Sequence, residues 1–391
     1  MNEAGTELLD AVRALAPAIA GRAVEIEEGR RLPAQTLAEL KGTGLFRMFV
    51  PRSLGGIEVD LRTGLEALEM LSRADGAAGW TVMIGSETPH LFALLPHETM
   101  KALYAEGGPD LILGGGFNAQ GEARAVPGGY RVTGRWAFAS GSEHCDFLFG
   151  NCVVLGEDGS PRSVSAAGVP ELRTMVFRAA DARVHDTWRV LGLRGTGSHD
   201  FSVEGLFVPE SSTFDLFGGT PTVPEHGYAA PVLQFALHMG AVAVGIAQGA
   251  VDDAIALAKG GKKRLYAPAP LSQMPLFQHQ LGQAEAQVRA ARAALHAEAE
   301  LFWKTALEAP EGAPLLAPRV TGTLVWVAQA CTAATDALFR ASGGGAARDG
   351  APLQRRFRDM HTLAQHGACT DGWFTGAGAA LLGLPGGGPL G

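Results

Sequence analysis

Along the first hundred residues, apolar positions recur every three or four places. Leu8, Val12, Leu15 and Ile19 form one stripe, Leu37, Leu40 and Leu45 a second, and Leu65, Leu68, Met70 and Leu71 a third. This spacing predicts a helical domain over 1–108, interrupted by the breaker-rich connection Phe46 to Gly56. A helix of small residues is expected from Gly76 to Ile84, followed by a loop that carries His90. The period then falls to two. Tyr130, Val132, Trp136 and Phe138 alternate with Arg131, Thr133, Arg135 and Ala137, after a Pro127-Gly128-Gly129 turn. Phe147 to Leu155 and Asp200 to Val208 read as further strands, so a middle β-barrel or sandwich is expected over 109–220. Beyond it, over 221–391, four long helices are predicted near 233–259, 275–308, 319–342 and 353–383. About 30 residues of helix span ~45 Å, which suits an up-and-down four-helix bundle. Small residues from Gly240 to Ala250 permit close helix contact in the first of them. The Gly386-Gly387-Gly388-Pro389 tail is expected to fray. The fold class is mostly α with a central β-domain.

Composition narrows the function classes. With 47% apolar and 18% charged residues the chain is globular, and its apolar runs are expected to fall short of a bilayer span. No basic-then-apolar leader opens the chain, so no secretory signal is expected. A net charge of −8 argues against a nucleic-acid or anionic-membrane partner. Cys145, Cys152, Cys331 and Cys369 show neither metal-ligand nor disulfide-framework spacing, which points to a reducing cytoplasm. No metal site emerges. No glycine-rich nucleotide fingerprint, P-loop or nucleophile elbow is found, so the chain has no nicotinamide fold of its own.

Near the C-terminus, Pro352 opens a run with Leu353, Phe357, Met360, Leu363 and Ala364 at helical spacing. Its other face is expected to present Arg358, Asp359 and His366. This Arg-Asp pair, in a chain ordered as helices, β-domain and bundle, resembles the acyl-CoA dehydrogenase superfamily across essentially the whole sequence. In dehydrogenases of that group a catalytic glutamate often stands eight residues after the Asp, where this chain has Gly367. Glycine cannot take a proton from a substrate α-carbon.

The resemblance to the flavin-dependent monooxygenases of this superfamily rests on local signatures. Trp136-Ala137-Phe138-Ala139-Ser140-Gly141 resembles their Trp-x-Phe-x-Ser-Gly run, which implies Phe138 at the flavin ring and the Ser140 hydroxyl near N5. A hydroxyl there can donate to oxidised flavin or accept from the reduced form. Trp188 through Ser198 resembles the family's Trp…Gly-Leu-Arg-Gly-Thr-Gly-Ser run. It implies Trp188 beside the isoalloxazine, with Arg194, Thr196 and Ser198 toward the flavin phosphates. Asn118, after Gly114-Gly115-Gly116, is implied as a further ring contact. Arg264, in Lys262-Lys263-Arg264, is implied as a phosphate contact, often given to an adjacent subunit; Gly343-Gly344-Gly345 matches a cofactor-side loop. His366 is implied to face flavin C4a, and His90 to line the substrate side. Imidazole suits both tasks, as neutral hydrogen-bonder or base.

Together these imply the oxygenase component of a two-component monooxygenase. It would take reduced FMN or FAD from a separate reductase, and O2 through a C4a-hydroperoxide, to oxidise a small aromatic, sulfur or amine substrate. The assigned catalytic set is His366, Ser140 and His90. A homotetramer is implied by the family. The alternative is an acyl-CoA dehydrogenase or oxidase with a relocated base, for which the first bundle helix offers only Asp252 and Asp253. A third reading is a non-catalytic member, or one that uses flavin for an unusual oxidation or dehydration; no loss on altering Ser140 and His366 would favour a role outside the flavin pocket.

Overall fold

A computed structural model describes residues 3–384 except 166–167, 224 and 230; the glycine-rich tail lies outside the described residues. Helices α1 (Glu3–Gly21), α2 (Ala23–Gly29), α3 (Ala34–Gly42), α4 (Leu61–Ala74), α5 (Gly76–Phe92) and α6 (His97–Gly107) come first. Asp75 ends α4 and caps α5, its side chain accepting from Ala78 N at 2.9 Å. The helix α5 is longer than the sequence reading: His90 sits in its last turn, not in a loop. Ser86 and Thr88 return their hydroxyl protons to the Met83 and Ile84 carbonyls, and Pro89 lies within the helix.

Strands β1 (Leu113–Val126), β2 (Gly129–Ala139), β3 (Phe147–Leu155), β4 (Leu172–Arg178), β5 (Arg183–His185), β6 (His199–Pro209) and β7 (Thr213–Phe214) follow. They form one mixed sheet in the order β5-β6-β2-β1-β3-β4-β7, in which only β1 and β3 run parallel among the described strands. The expected barrel is realised as a curled sheet. Phe177 of β4 meets Phe201 of β6 at 6.0 Å between ring centroids, although the two strands are far apart in the ladder order. Trp136 fills the space between them, fully buried and stacked on Phe201 at 5.0 Å. A Cβ at Gly116, Gly121, Gly134 or Gly150 would run into its indole, so those glycines are the room that Trp136 occupies.

The bundle comprises α7 (Pro231–Lys259), α8 (Pro275–Glu308) and α9 (Ala317–Ala341), then α10 (Pro352–Ala364) and α11 (Gly372–Leu381). The fourth long helix expected at 353–383 is thus two helices. The break falls at His366, whose ring accepts from Ala368 N at 3.2 Å and caps a short turn, with Gly367 and Gly372 nearby as weak helix formers. Small residues do bring α7 close: a Cβ at Gly245 would lie 2.6 Å from Ser72 Cβ on α4. By length and hydropathy α7 reaches a bilayer span, contrary to expectation, but 67% of its most apolar window is buried inside the fold.

The face of α10 also needs correction. Arg355, Arg356 and Asp359 point inward, whereas Phe357 is half-buried against Phe339. Arg356 donates to the Ser72 and Ala74 carbonyls at 3.2 and 3.3 Å and pairs with Asp253 at 3.1 Å. The carbonyls ending α4 and the Asp253 carboxylate make burial of a guanidinium tolerable.

Candidate functional site

Chain turns from three regions converge at Ser140. It follows β2, where the register with β6 shifts between Trp136 and Ala139 and Phe138 adopts φ +64°. An aromatic residue in the left-handed region is strained, and such strain gathers at functional sites. The bulge turns Phe138 outward, 68% exposed, edge-on to half-buried Trp188 at 6.3 Å. The irregular stretch of β1 that carries exposed Asn118 is tied alongside by Gln120 Oε1, which accepts from Ala137 N at 3.0 Å.

Behind this platform lies a row of buried hydroxyls. Trp80 Nε1 of α5 donates to Ser140 Oγ at 2.9 Å, and Ser140 Oγ lies 2.8 Å from Ser198 Oγ. Ser198 Oγ is 2.6 Å from Thr196 Oγ1, which donates to Leu193 O at 2.8 Å. Trp80 also meets the His366 ring at 5.7 Å. Trp80 was missed in the sequence; a lone Trp in a run of small residues was its only sign.

The Gly192–Ser198 loop is held from α10. Leu193 N donates to Asp359 Oδ1 at 2.6 Å, and Gly192 N to Thr362 Oγ1 at 2.9 Å. Burial, then repulsion from Asp75, raises the Asp359 carboxyl to about 7, opposed by the Leu193 hydrogen bond and by Arg355 and Arg356. The native state therefore keeps a proton that the unfolded chain releases near its ordinary value of about 3.9. This contribution to stability is complete below that value and is lost as pH rises to about 7. Asp359→Asn is expected to flatten the fall in denaturation midpoint between pH 5 and pH 7.5; an unchanged slope would remove Asp359 as its source.

His366 and His90 are set oppositely. Because His366 Nδ1 accepts from Ala368 N, the neutral ring carries its proton on Nε2 and is a donor there; the residue is exposed in the single chain, and the partial desolvation of its ring lowers its pKa. In His90, Nδ1 faces the Glu87 carbonyl at 3.1 Å and must donate to it, which leaves the Nε2 lone pair free. Burial lowers its pKa to about 4. His90 is not beside Ser140: Trp80 and His90 are separated by ten residues of α5, ~15 Å of helix. It belongs to a second cluster with Phe49, Tyr228 and His238, next to a cavity of about 210 Å³. There His238 Nδ1 meets Glu87 Oε2 at 2.9 Å, both fully enclosed, a pair that sequence spacing could not reveal. Burial pushes Glu87 up and His238 down, which favours a pair without net charge.

The basic candidates already have protein partners. Arg194 donates to Val190 O at 2.9 Å and approaches Glu27. Arg264 donates to the Arg340 carbonyl at 3.0 Å and to that of Ala341, capping α9, and lies against Gly343; Lys262 lies against Gly345. The structure thus joins two stretches noted separately in the sequence. Asp252 and Asp253, the bases offered to a dehydrogenase, are paired with Arg73 and Arg356.

A curled sheet between two helical regions is the architecture of the acyl-CoA dehydrogenase class. The descriptions "Acyl-CoA dehydrogenase, N-terminal domain" and "Acyl-CoA dehydrogenase, C-terminal domain" match residues 2–104 and 237–370. The chain is 33% identical to indole-3-acetate monooxygenase of Pseudomonas putida, over 97% of this chain and 94% of that one. It is 28% identical to the flavin-dependent monooxygenase oxygenase subunit HsaA of Rhodococcus jostii, covering 91% and 92%. The solved XiaF of Streptomyces sp., in complex with FADH2 and glycerol, superposes with a TM-score of 0.87 at 26% identity, covering 98% and 96%. The chain belongs to the acyl-CoA dehydrogenase family, as an oxygenase component of its flavin-dependent monooxygenases. The residue types present are compatible with a flavin ring: exposed Phe138 meets half-buried Trp188 edge-on, and Ser140 carries a hydroxyl hydrogen-bonded to Trp80.

Proposed function

We propose that the chain hydroxylates a small aromatic substrate that carries an N–H or O–H donor, an indole or a phenol. The observation that carries this reading is the free Nε2 lone pair of His90, fixed by its Glu87 hydrogen bond, beside a cavity of about 210 Å³. A neutral acceptor lining a cavity favours a ligand with a proton to share, because a ligand without one leaves the acceptor unpaired, which costs affinity. Reduced FMN or FAD, when bound, supplies the two electrons with which dioxygen is split between product and water. Phe138, Trp188 and Asn118 would bound its ring, Ser140 would meet N5, and Thr196 and Ser198 would support Ser140. Arg194 would lie toward the phosphates, and Arg264 with the Gly343–Gly345 loop would serve a phosphate from a neighbouring subunit. His366 holds a proton on Nε2 for the oxygen being transferred, and His90 orients the substrate. Trp80, Ser140 and His366 come from the regions 1–108, 109–220 and 221–391, so all three build one site.

A separate reductase in the same cytoplasm would deliver the flavin. A homotetramer would cover Trp326 and Phe374 on the packed helices α9 and α11, both partly exposed in the single chain. The substrate reading is tested by comparing indole with N-methylindole, and phenol with anisole, in the presence of reduced flavin and oxygen. Methylation is expected to lower kcat/KM roughly tenfold, the effect of one unmade hydrogen bond. Equal turnover of both members of each pair would exclude the donor requirement.

A further inference from the structure

The Leu193 end of the hydroxyl row favours one direction for the protons in it. At one end the Trp80 indole can only donate, so Ser140 Oγ accepts there. At the other, Leu193 O can only accept, so the Thr196 hydroxyl gives its proton away. The 2.6 Å contact between Thr196 and Ser198 must then be filled by the Ser198 proton, and the 2.8 Å contact between Ser198 and Ser140 by the Ser140 proton. Each hydroxyl has one proton, and all three are committed. Ser140 is left with one open lone pair and no proton to offer.

We infer that the Thr196–Ser198 row orients the Ser140 hydroxyl as an acceptor and thereby biases the site toward reduced flavin, whose N5 carries a hydrogen, over oxidised flavin, whose N5 does not. The inference rests on the reading that Ser140 meets N5. Oxidised N5 needs a donor. Ser140 can supply one only if Ser198 and Thr196 both turn their protons round, and that withdraws the Thr196 bond from Leu193 O. That carbonyl also accepts from Trp188 Nε1 at 3.0 Å and Thr196 N at 3.1 Å, so the reversal is possible but loses one hydrogen bond. Thr196 and Ser198 are positioning residues here, acting through Ser140. The device suits an enzyme that must take up the reduced form and let the oxidised form go.

The test is equilibrium binding without turnover: anaerobic titration of the purified chain with dithionite-reduced and oxidised FMN, and with the same two forms of FAD. The wild-type protein is expected to bind the reduced form at least about fivefold more tightly, the factor for one net hydrogen bond of about 1 kcal/mol. Thr196→Val removes the anchor and is expected to cut the preference about fivefold, chiefly by tightening the oxidised complex. Thr196→Ser, which keeps the hydroxyl, is expected to restore it. Trp80→Phe leaves the Leu193 end intact and should retain the preference. Wild-type protein that binds both forms equally, or a Thr196→Val protein with the wild-type ratio, would overturn the inference while leaving the flavin site standing. Binding of neither form would overturn the flavin reading itself.

Discussion

His366→Ala is expected to lower hydroxylation by about a hundredfold and to divert reducing equivalents to free hydrogen peroxide. The ring is neutral, its Nδ1 is occupied by Ala368 N, and so Nε2–H is the group it offers. A positioned proton donor contributes roughly 10²–10⁴ in rate. Because its pKa is lowered, the imidazole stays in one protonation state above neutrality, and the loss should be the same from pH 7 to pH 9. His366→Gln, which keeps an N–H, should recover part of the coupling. Product and peroxide, each measured per reduced flavin consumed, decide it. A deficit that appears only below pH 6.5 would assign the role to the imidazolium instead.

Trp136→Ala is expected to cost about 3–5 kcal/mol of stability. The indole is wholly buried, stacks on Phe201 and donates to Asn151 O at 2.8 Å. Four glycines crowd around it, so on their side of the indole there are no side chains that could relax into the hole. Trp136→Phe keeps much of the volume and should lose less than half as much. Denaturant midpoints followed by circular dichroism would measure both. A Trp136→Ala protein within 1 kcal/mol of wild type would mean that the sheet closes without its central side chain.

Periodicity made the three-part order readable, and α7, α8 and α9 fall within two residues of the expected spans, because long buried stripes dominate their sequences. The end of the chain was harder. A helical pattern runs through His366, but the imidazole takes a backbone N–H that a continuing helix would bury, and local capping wins. On α10 the charges misled in the opposite direction: Arg355, Arg356 and Asp359 look like a solvent face, yet the two arginines point at Asp75, Asp253 and the carbonyls that end α4, and Asp359 at Leu193 N. Those partners lie more than a hundred residues away, beyond the reach of any local pattern.

The candidate site was legible as residue types and not as an assembly. Ser140, Thr196 and Ser198 stand out in two separate motifs, but their contact exists only in the fold, and the Trp80 donor reaches Ser140 only once α5 packs against the sheet. The same holds for Glu87 and His238, which come from α5 and α7 and meet in the core. His90 and His366 look equivalent in the sequence. Hydrogen bonds to a carbonyl in one case and to an amide N–H in the other make the first an acceptor and the second a donor.

The most direct measurement is rapid mixing of the protein–reduced flavin complex, prepared anaerobically, with oxygenated buffer, followed by absorbance. The account predicts a transient spectrum distinct from both reduced and oxidised flavin, shortened at least tenfold by His366→Ala. Tight binding of oxidised flavin and its reduction by an acyl-CoA would contradict it, and would mean that a base other than Asp252 or Asp253 does the work that Gly367 cannot.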